Sequence, residues 1–273
     1  MTPVSRDRGR IWFRRLTGGT GAVADGPRTV LCADAALGSE SARFLAVVAD
    51  PANRFPRARH GEVGLEEAWT LARMVRGAIE ADHDTAPRPI VAIVDVSSQA
   101  YGRREELLGI HLACAAAADA YAAARLAGHP VTALLVGKAM SGAFLAHGYQ
   151  ASRLIALDSH GVLVHAMSKE SAARVTRRSV EDLERLGERI PPMAYGVRAF
   201  ASLGLVDRLI EKVDADDPTP ADVERVRGEL IEAVQDIRQN GSGLARRLKN
   251  DAARHARAAS IDVRRRLAEQ WHE

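Results

Sequence analysis

Three observations predict an α/β fold. Residues 89–96 form a continuous run that is apolar except for Asp95, as a strand buried on both faces of a sheet requires. A second apolar run, residues 131–136, follows a long helical segment at residues 105–127, and this strand–helix–strand alternation is typical of a parallel sheet. Hydrophobic residues make up 47% of the 273-residue chain, which is enough for a sizeable core and excludes a disordered protein.

The first third of the chain predicts a short amphipathic segment, a hairpin and a helix. Residues 10–20 are amphipathic and end in a glycine-rich turn. Residues 28–36 and 42–49 are rich in β-forming residues and flank a Gly-Ser pair, so we expect a β-hairpin. Between residues 64 and 80 the apolar side chains recur at helical spacing, which predicts a helix.

Shorter elements follow the second apolar run. We expect strands at residues 153–158 and 162–167, helices near 168–175, 180–186 and 193–203, and charged helices at 221–239 and 244–270. A linker at residues 214–220 contains two prolines and three aspartates. We therefore divide the chain into one domain of residues 1–215 and a C-terminal helical extension of residues 216–273.

The composition argues against several classes of function. The 38 basic and 35 acidic residues leave a net charge of +3, and aromatic residues make up only 4%, so nucleic acid is not an expected partner. No segment has the length and apolarity of a signal peptide or a membrane span. With only two cysteines and no disulfide framework, we expect a cytoplasmic protein.

Two loops are candidates for a binding site. In parallel α/β sheets, ligands gather at the carboxyl ends of the strands, where residues 97–104 and 137–144 lie. Gln99, Tyr101 and Arg103 of the first loop could donate hydrogen bonds to a carboxylate, or could be ordinary solvated loop residues. The second loop consists of small residues at the start of a short helix, where free N–H groups could hold an oxyanion. Tight packing of the strand on the helix would favour the same small residues.

Ser141 and His165 could form a nucleophile and a base. His165 ends a predicted strand 24 residues after Ser141, close to both loops. The serine, however, is flanked by Ala139 and Ala143, where the hydrolase elbow requires glycines. His165 could instead transfer protons without a nucleophilic serine, or could be a structural histidine. The sequence contains no metal-ligand spacing, P-loop or dinucleotide fingerprint.

Several long stretches of the sequence are similar to a known family. They are residues 12–19 (WFRRLTGG), 95–111 (DVSSQAYGRREELLGIH), 137–148 (GKAMSGAFLAHG), 164–167 (VHAM) and 191–195 (PPMAY). Residues 89–211 resemble the carboxyltransferase family of the crotonase-like (ClpP/crotonase) fold. Nearly the whole chain resembles the gamma subunits of biotin-independent malonate decarboxylase.

The resemblance implies a reaction and a set of partners. Such complexes convert malonate to acetate and CO2, with malonate carried as a thioester on the phosphoribosyl-dephospho-CoA group of an acyl carrier subunit. A beta–gamma pair with a shared active site decarboxylates the malonyl thioester, and an alpha subunit acts as the transferase. The gamma subunit itself then binds no cofactor and no metal.

The resemblance also suggests roles for individual residues. It implies that consecutive backbone amides, here those of Gly142 and Ala143, form an oxyanion hole, which without biotin could instead hold the leaving carboxylate or CO2. Our candidates for handling the proton are His165 and Tyr101. The expected substrate-binding residues are Gln99, Arg103, Met140 and Ser141.

Two alternatives remain open at this point. One is a ClpP-like serine peptidase that uses Ser141 and His165. The other is a non-catalytic protein that only completes the site of a beta subunit.

Overall fold

The computed structural model describes residues 7–19 and 21–271, and within them the chain forms one seven-stranded sheet flanked by helices. The order along the sheet is β1-β2-β3-β4-β5-β7, and β6 pairs with the far end of β4. The first pair is antiparallel and the other pairs are parallel. The strands are β1 (Val30–Leu37), β2 (Glu40–Val47), β3 (Ile90–Val96), β4 (Val131–Met140), β5 (Arg153–Leu157), β6 (Leu163–His165) and β7 (Arg208–Ile210).

The helices pack around this sheet. Helix α1 contacts β1 to β4, α2 packs on α4, and α9 contacts β1, β4 and β5. The helices are α1 (Arg8–Thr17), α2 (Leu65–Ala81), α3 (Arg103–Leu107), α4 (Ile110–Leu126), α5 (Ser141–Ala146), α6 (Lys169–Thr176), α7 (Val180–Arg189), α8 (Val197–Ser202), α9 (Pro220–Asn240), α10 (Asp251–Ala256) and α11 (Ala258–Gln270).

The predicted α/β class and the predicted hairpin are confirmed. Leu37 pairs with Glu40 across a two-residue turn, and Gly38 in this turn has a φ of 65°. Glycine adopts such a left-handed conformation without the steric cost of a Cβ. Strands β3 and β4 are buried along nearly their whole length, as their largely apolar sequences require.

The hydrophobic core is continuous from the first helix to the ninth. Trp12 and Phe13 of α1 are fully buried against the sheet, and Val226 and Leu230 of α9 belong to the same cluster. Helix α9 begins at a capping box in which Thr219 accepts a hydrogen bond from the N–H of Asp222. Residues on both sides of the 214–220 linker therefore contribute to one core.

The prediction of one continuous helix at residues 105–127 is wrong, because the structure has two helices there. The segment is divided into α3 and α4 at Gly109, which has a φ of 81°. This left-handed residue cannot continue a helix. The glycine was visible in the sequence, but the apolar spacing on either side of it concealed the break.

Other predicted boundaries also need correction. Strand β4 continues to Met140 rather than ending at residue 136, because its last residues pair with β6. The helix expected at 193–203 is only α8, preceded by a short 3-10 turn at Pro191–Met193. The helix expected at 244–270 consists of a 3-10 turn, α10 and α11. The three-residue strand β7 was not predicted at all.

Candidate active site

The two candidate loops meet in the structure. Strands β3 and β4 run parallel, with Val96 opposite Ala139, so the segments that follow them emerge side by side. Gln99 follows β3, and Gly142 lies in α5, which begins directly after β4. The backbone N–H of Gly142 donates a hydrogen bond of 2.8 Å to the Gln99 side-chain oxygen. This donor therefore points into the space between the two loops.

A strained residue forms the turn from β4 into α5. Ser141 has a φ of 57°, in the left-handed region that residues other than glycine rarely occupy. Such strain is frequent at functional sites. Met140 and Ala143 on either side are buried, whereas Ser141 and Gly142 are partly exposed. The turn thus exposes a backbone amide next to a well-packed strand end.

His165 lies beside this turn. It is paired with Met140 in the β4–β6 ladder, and its ring is stacked on Tyr195 with 3.9 Å between centroids and 13° between planes. Its Nδ1 lies 3.1 Å from the backbone oxygen of Met167. Burial lowers the pKa of His165, and the hydrogen bond to Met167 partly opposes this shift.

Tyr195 was not among the predicted site residues. Its side chain is 8% exposed, and its hydroxyl has no hydrogen-bond partner within the described part of the chain. The Nζ of Lys169 lies 5.6 Å from the centre of its ring. Burial raises the pKa of the Tyr195 hydroxyl, so it stays protonated. Tyr195 lies in an irregular segment before α8, which no sequence periodicity could place next to His165.

The remaining predicted site residues make fewer contacts with the other residues of the candidate site. Tyr101 is half exposed and Arg103 is exposed, and neither side chain forms a hydrogen bond or salt bridge with any described residue. Among the same residues, no hydrogen bond joins Ser141 to His165. The structure therefore brings together Gln99 with Gly142 and Met140 with His165, but it forms no Ser–His dyad.

A cavity of about 730 Å³ opens beside the carboxyl ends of β3 and β4. The residues predicted for the site do not line it. It adjoins them nevertheless, because Lys169 lines the cavity and also contacts the ring that stacks on His165. Its polar lining includes Arg8, His60, Glu62, Asp95, Lys138 and Lys169.

Asp95 is a partly buried carboxylate in the wall of this cavity. It accepts hydrogen bonds from the backbone N–H groups of Lys138, at 2.9 Å, and of Gly9, in the first turn of α1. Burial raises the pKa of Asp95, and these two hydrogen bonds partly offset that shift. Asp95 therefore connects α1 to the end of β4.

The described residues, 7–19 and 21–271, contain no cluster of three or more His, Cys, Asp or Glu side chains that could hold a metal ion. None of the helices in these ranges has the length and apolarity needed to cross a membrane.

The fold defines the class of protein. Over 87% of this chain and 43% of the other, the structure matches that of transcarboxylase 12S with hydrolysed methylmalonyl-coenzyme A bound, with a TM-score of 0.61 at 20% identity. This likeness shows the crotonase-like fold of carboxyltransferases. The fold predicted from the family resemblance is confirmed.

The particular family follows from residues 58–271, which match the model for the malonate decarboxylase gamma subunit, MdcE. The chain belongs to this family. It is 53% identical to a chain of the Pseudomonas malonate decarboxylase MdcD–MdcE hetero-dimer, with a TM-score of 0.90 over 98% of this chain and 100% of that one.

A curated relative is more distant. The malonyl-S-ACP:biotin-protein carboxyltransferase MADD of Malonomonas rubra is 38% identical over 200 residues, which is 72% of this chain. The match spans only 64% of the length of that relative.

Proposed function

We propose that this chain pairs with a malonate decarboxylase beta subunit and that the pair decarboxylates a malonyl thioester carried on an acyl carrier protein. The products are the acetyl thioester and CO2. Membership of the gamma-subunit family supports this proposal, together with the Pseudomonas structure in which a related chain forms a hetero-dimer with MdcD. An alpha transferase subunit and the phosphoribosyl-dephospho-CoA arm of the carrier complete the proposed assembly.

The observation that carries the mechanism is the amide of Gly142. Loss of CO2 from a malonyl thioester leaves an enolate, whose oxygen must be stabilised as its charge develops. Backbone N–H groups aimed at such an oxygen contribute about 3–4 kcal/mol each. The Gly142 N–H already points at an acceptor oxygen, that of Gln99, at 2.8 Å. We assign this N–H and that of Ala143 to the oxyanion hole.

The Gln99 side-chain oxygen accepts the hydrogen bond from the Gly142 N–H in this structure, so Gln99 must move aside before the substrate oxygen can bind there. An anionic oxygen accepts a stronger hydrogen bond than a neutral amide oxygen does, which favours the exchange. The enolate is then protonated on carbon. Since His165 is paired with Met140, next to this turn, it is our candidate for handling the proton, with Tyr101 as the alternative.

One observation favours the peptidase alternative. The positive φ of Ser141 at a strand-to-helix turn resembles the strained turn that exposes a catalytic serine in hydrolases. Against it, His165 is hydrogen-bonded to Met167 and stacked on Tyr195, and within the described chain it makes no hydrogen bond to Ser141. The geometry therefore supports the decarboxylase better.

The test is CO2 release from a malonyl thioester by the beta subunit alone, by this chain alone and by their mixture. We expect activity only in the mixture. Full activity from the beta subunit alone would reduce this chain to a scaffold. A parallel fluorophosphonate probe should leave Ser141 unlabelled, and labelling of wild type but not of Ser141→Ala would instead support the peptidase.

A further inference from the structure

Lysine is rare in this chain, and its distribution is uneven. The sequence contains four lysines, Lys138, Lys169, Lys212 and Lys249, among 38 basic residues. Two of the four, Lys138 and Lys169, line the cavity beside the ends of β3 and β4. A lysine presents a compact, mobile point charge, whereas arginine presents a rigid planar fork. Two lysines in one cavity of an arginine-rich protein indicate a site that needs compact charges.

Most of the other charges in this cavity are already paired. Arg8 binds the Asp216 carboxylate with two hydrogen bonds of 2.6 and 2.8 Å. Asp95 accepts two backbone hydrogen bonds, and Lys169 forms a salt bridge of 2.5 Å with Glu184.

Lys138 is different. Its side chain is exposed, and its ammonium group forms neither a salt bridge nor a hydrogen bond with any residue that the structure describes. Among the described lining residues, its ammonium group is therefore available to a ligand.

The charge of the lining limits the ligand. Arg8 and Lys169 already pair with carboxylates outside the lining, Asp216 and Glu184, so among the described residues it is Lys138 whose positive charge can pair with a ligand. A doubly charged phosphate favours several converging donors, often arginine forks. A single carboxylate matches this one ammonium group better.

The position of Lys138 relates the cavity to the oxyanion hole. Lys138 and Met140 lie two residues apart in β4, opposite Leu163 and His165 of β6. Side chains two residues apart in a strand point to the same face and are separated by about 7 Å. A lysine side chain spans a comparable distance, so its ammonium group can meet a small acyl group held at the Ser141 turn.

We propose that this cavity binds the free carboxylate of the malonyl thioester, with Lys138 as its direct partner and Lys169 as a second, nearby cation. The inference rests on the proposed function, because it assigns the two ends of the substrate to two places. The thioester oxygen lies at the Gly142 amide, and the carboxylate lies at Lys138.

With the carboxylate held at Lys138 and the thioester oxygen at Gly142, Lys138 contributes to substrate binding and not to the rate of the chemical step. When the bond from the α-carbon to the carboxyl carbon breaks, its electron pair passes to the enolate and CO2 leaves uncharged. The ammonium group thus stabilises the ground state at least as well as the transition state. Interactions of that kind lower KM without raising kcat. They also select malonyl over acetyl thioesters and release the neutral product.

The kinetic test uses the complex with the beta subunit and malonyl-N-acetylcysteamine thioester as substrate. Lys138→Gln should raise KM about tenfold, which corresponds to one lost charge-assisted hydrogen bond, while kcat changes less than about threefold. The matched control is Lys249→Gln, an exposed lysine outside the cavity, and it should leave both constants unchanged. An unchanged KM for Lys138→Gln, or a loss confined to kcat, would overturn the proposal.

A second measurement does not depend on activity. In the wild-type complex, malonate should slow amine-specific labelling of Lys138 and Lys169, measured by mass spectrometry, about tenfold, but not that of Lys212 or Lys249. Acetamide, which carries no charge, should protect none of them. Equal labelling with and without malonate would refute the carboxylate site even in an active complex. An inactive complex in which malonate still protects the two cavity lysines would refute the proposed function instead.

Discussion

At the scale of single residues, the site depends on one hydrogen bond between two loops. The sequence allowed us to predict that residues 97–104 and 137–144 would lie side by side, because both follow strands of a parallel sheet. It could not show that the Gln99 oxygen occupies the Gly142 amide. That contact depends on the left-handed turn at Ser141, and a serine has no intrinsic preference for this conformation.

Gln99→Glu tests whether this amide is the oxyanion donor. The substitution preserves shape but places a charged acceptor on the Gly142 N–H, where it competes with the enolate oxygen. We expect kcat/KM for the malonyl thioester to fall at least about tenfold, since charged acceptors bind roughly twice as strongly as neutral ones. Arg104→Gln, at the exposed end of the same loop, serves for comparison. Undiminished activity of Gln99→Glu would argue against the assignment.

His165 gives a prediction about pH. Burial lowers its pKa below the ordinary value of 6.5, so only a small fraction is protonated at neutral pH. If the imidazolium supplies the proton, kcat should fall as pH rises through this lowered pKa. The profile of the wild-type complex should lose that dependence in His165→Ala. A wild-type rate independent of pH between about 5 and 7 would exclude His165 as the proton donor.

At the scale of elements, the pairing of β6 with the end of β4 brings His165 beside the Ser141 turn. This extension was missed because Gly137 and Ala139 made the segment resemble a turn, whereas the apolar run that identified β4 ends at residue 136. The strand continues because β6 pairs with its last residues. Local sequence patterns do not reveal such pairing between distant segments. The same reason explains β7, which is only three residues long.

Gly137 gives the prediction for this element. A Cβ at this position would overlap Oδ1 of the partly buried Asp95, so Gly137→Ala must displace either the carboxylate or the strand. We expect the free energy of unfolding to fall by about 1–3 kcal/mol, as for other overpacked sites. Gly228→Ala, at an open position in α9, should instead stabilise by roughly 0.5–1 kcal/mol. Urea unfolding of both variants measures the two free energies of unfolding. If both fall, or both rise, the result would contradict this account.

At the scale of the whole molecule, charged pairs connect the C-terminal helices to the sheet. The buried Arg153 of β5 donates a hydrogen bond of 2.5 Å to Asp236 of α9, and Arg246 beyond α9 binds the same carboxylate at 2.8 Å. The sequence predicted a charged helix at residues 221–239. It could not identify the strand that the helix covers, because pairing between distant charged residues leaves no local pattern.

Asp236 makes this connection dependent on pH. Burial alone would raise its pKa, but hydrogen bonds from Arg153 and Asn240 and the charges of Arg153 and Arg246 hold it at about 2. Because the folded pKa lies below the ordinary value of 3.8, the carboxylate stabilises the fold above about pH 4. This contribution is lost as pH falls towards 2.

Asp236→Asn should therefore lower the free energy of unfolding by about 2 kcal/mol at pH 7, and by less at pH 3. Urea unfolding at the two pH values measures the difference. The comparison variant is Asp251→Asn, a fully exposed carboxylate, which should unfold like the wild type. A deficit for Asp236→Asn that is as large at pH 3 as at pH 7 would contradict the linkage.

The most direct test of the central claim compares two substitutions at Gly142 in complexes with the beta subunit. Gly142→Pro removes the backbone N–H, whereas Gly142→Ala keeps it and has only the movable Gln99 side chain to displace. Both complexes must first elute intact. We predict that CO2 release from a malonyl thioester falls about 10²–10³-fold with proline and only slightly with alanine. Similar rates for the two complexes would show that the Gly142 amide does not stabilise the enolate.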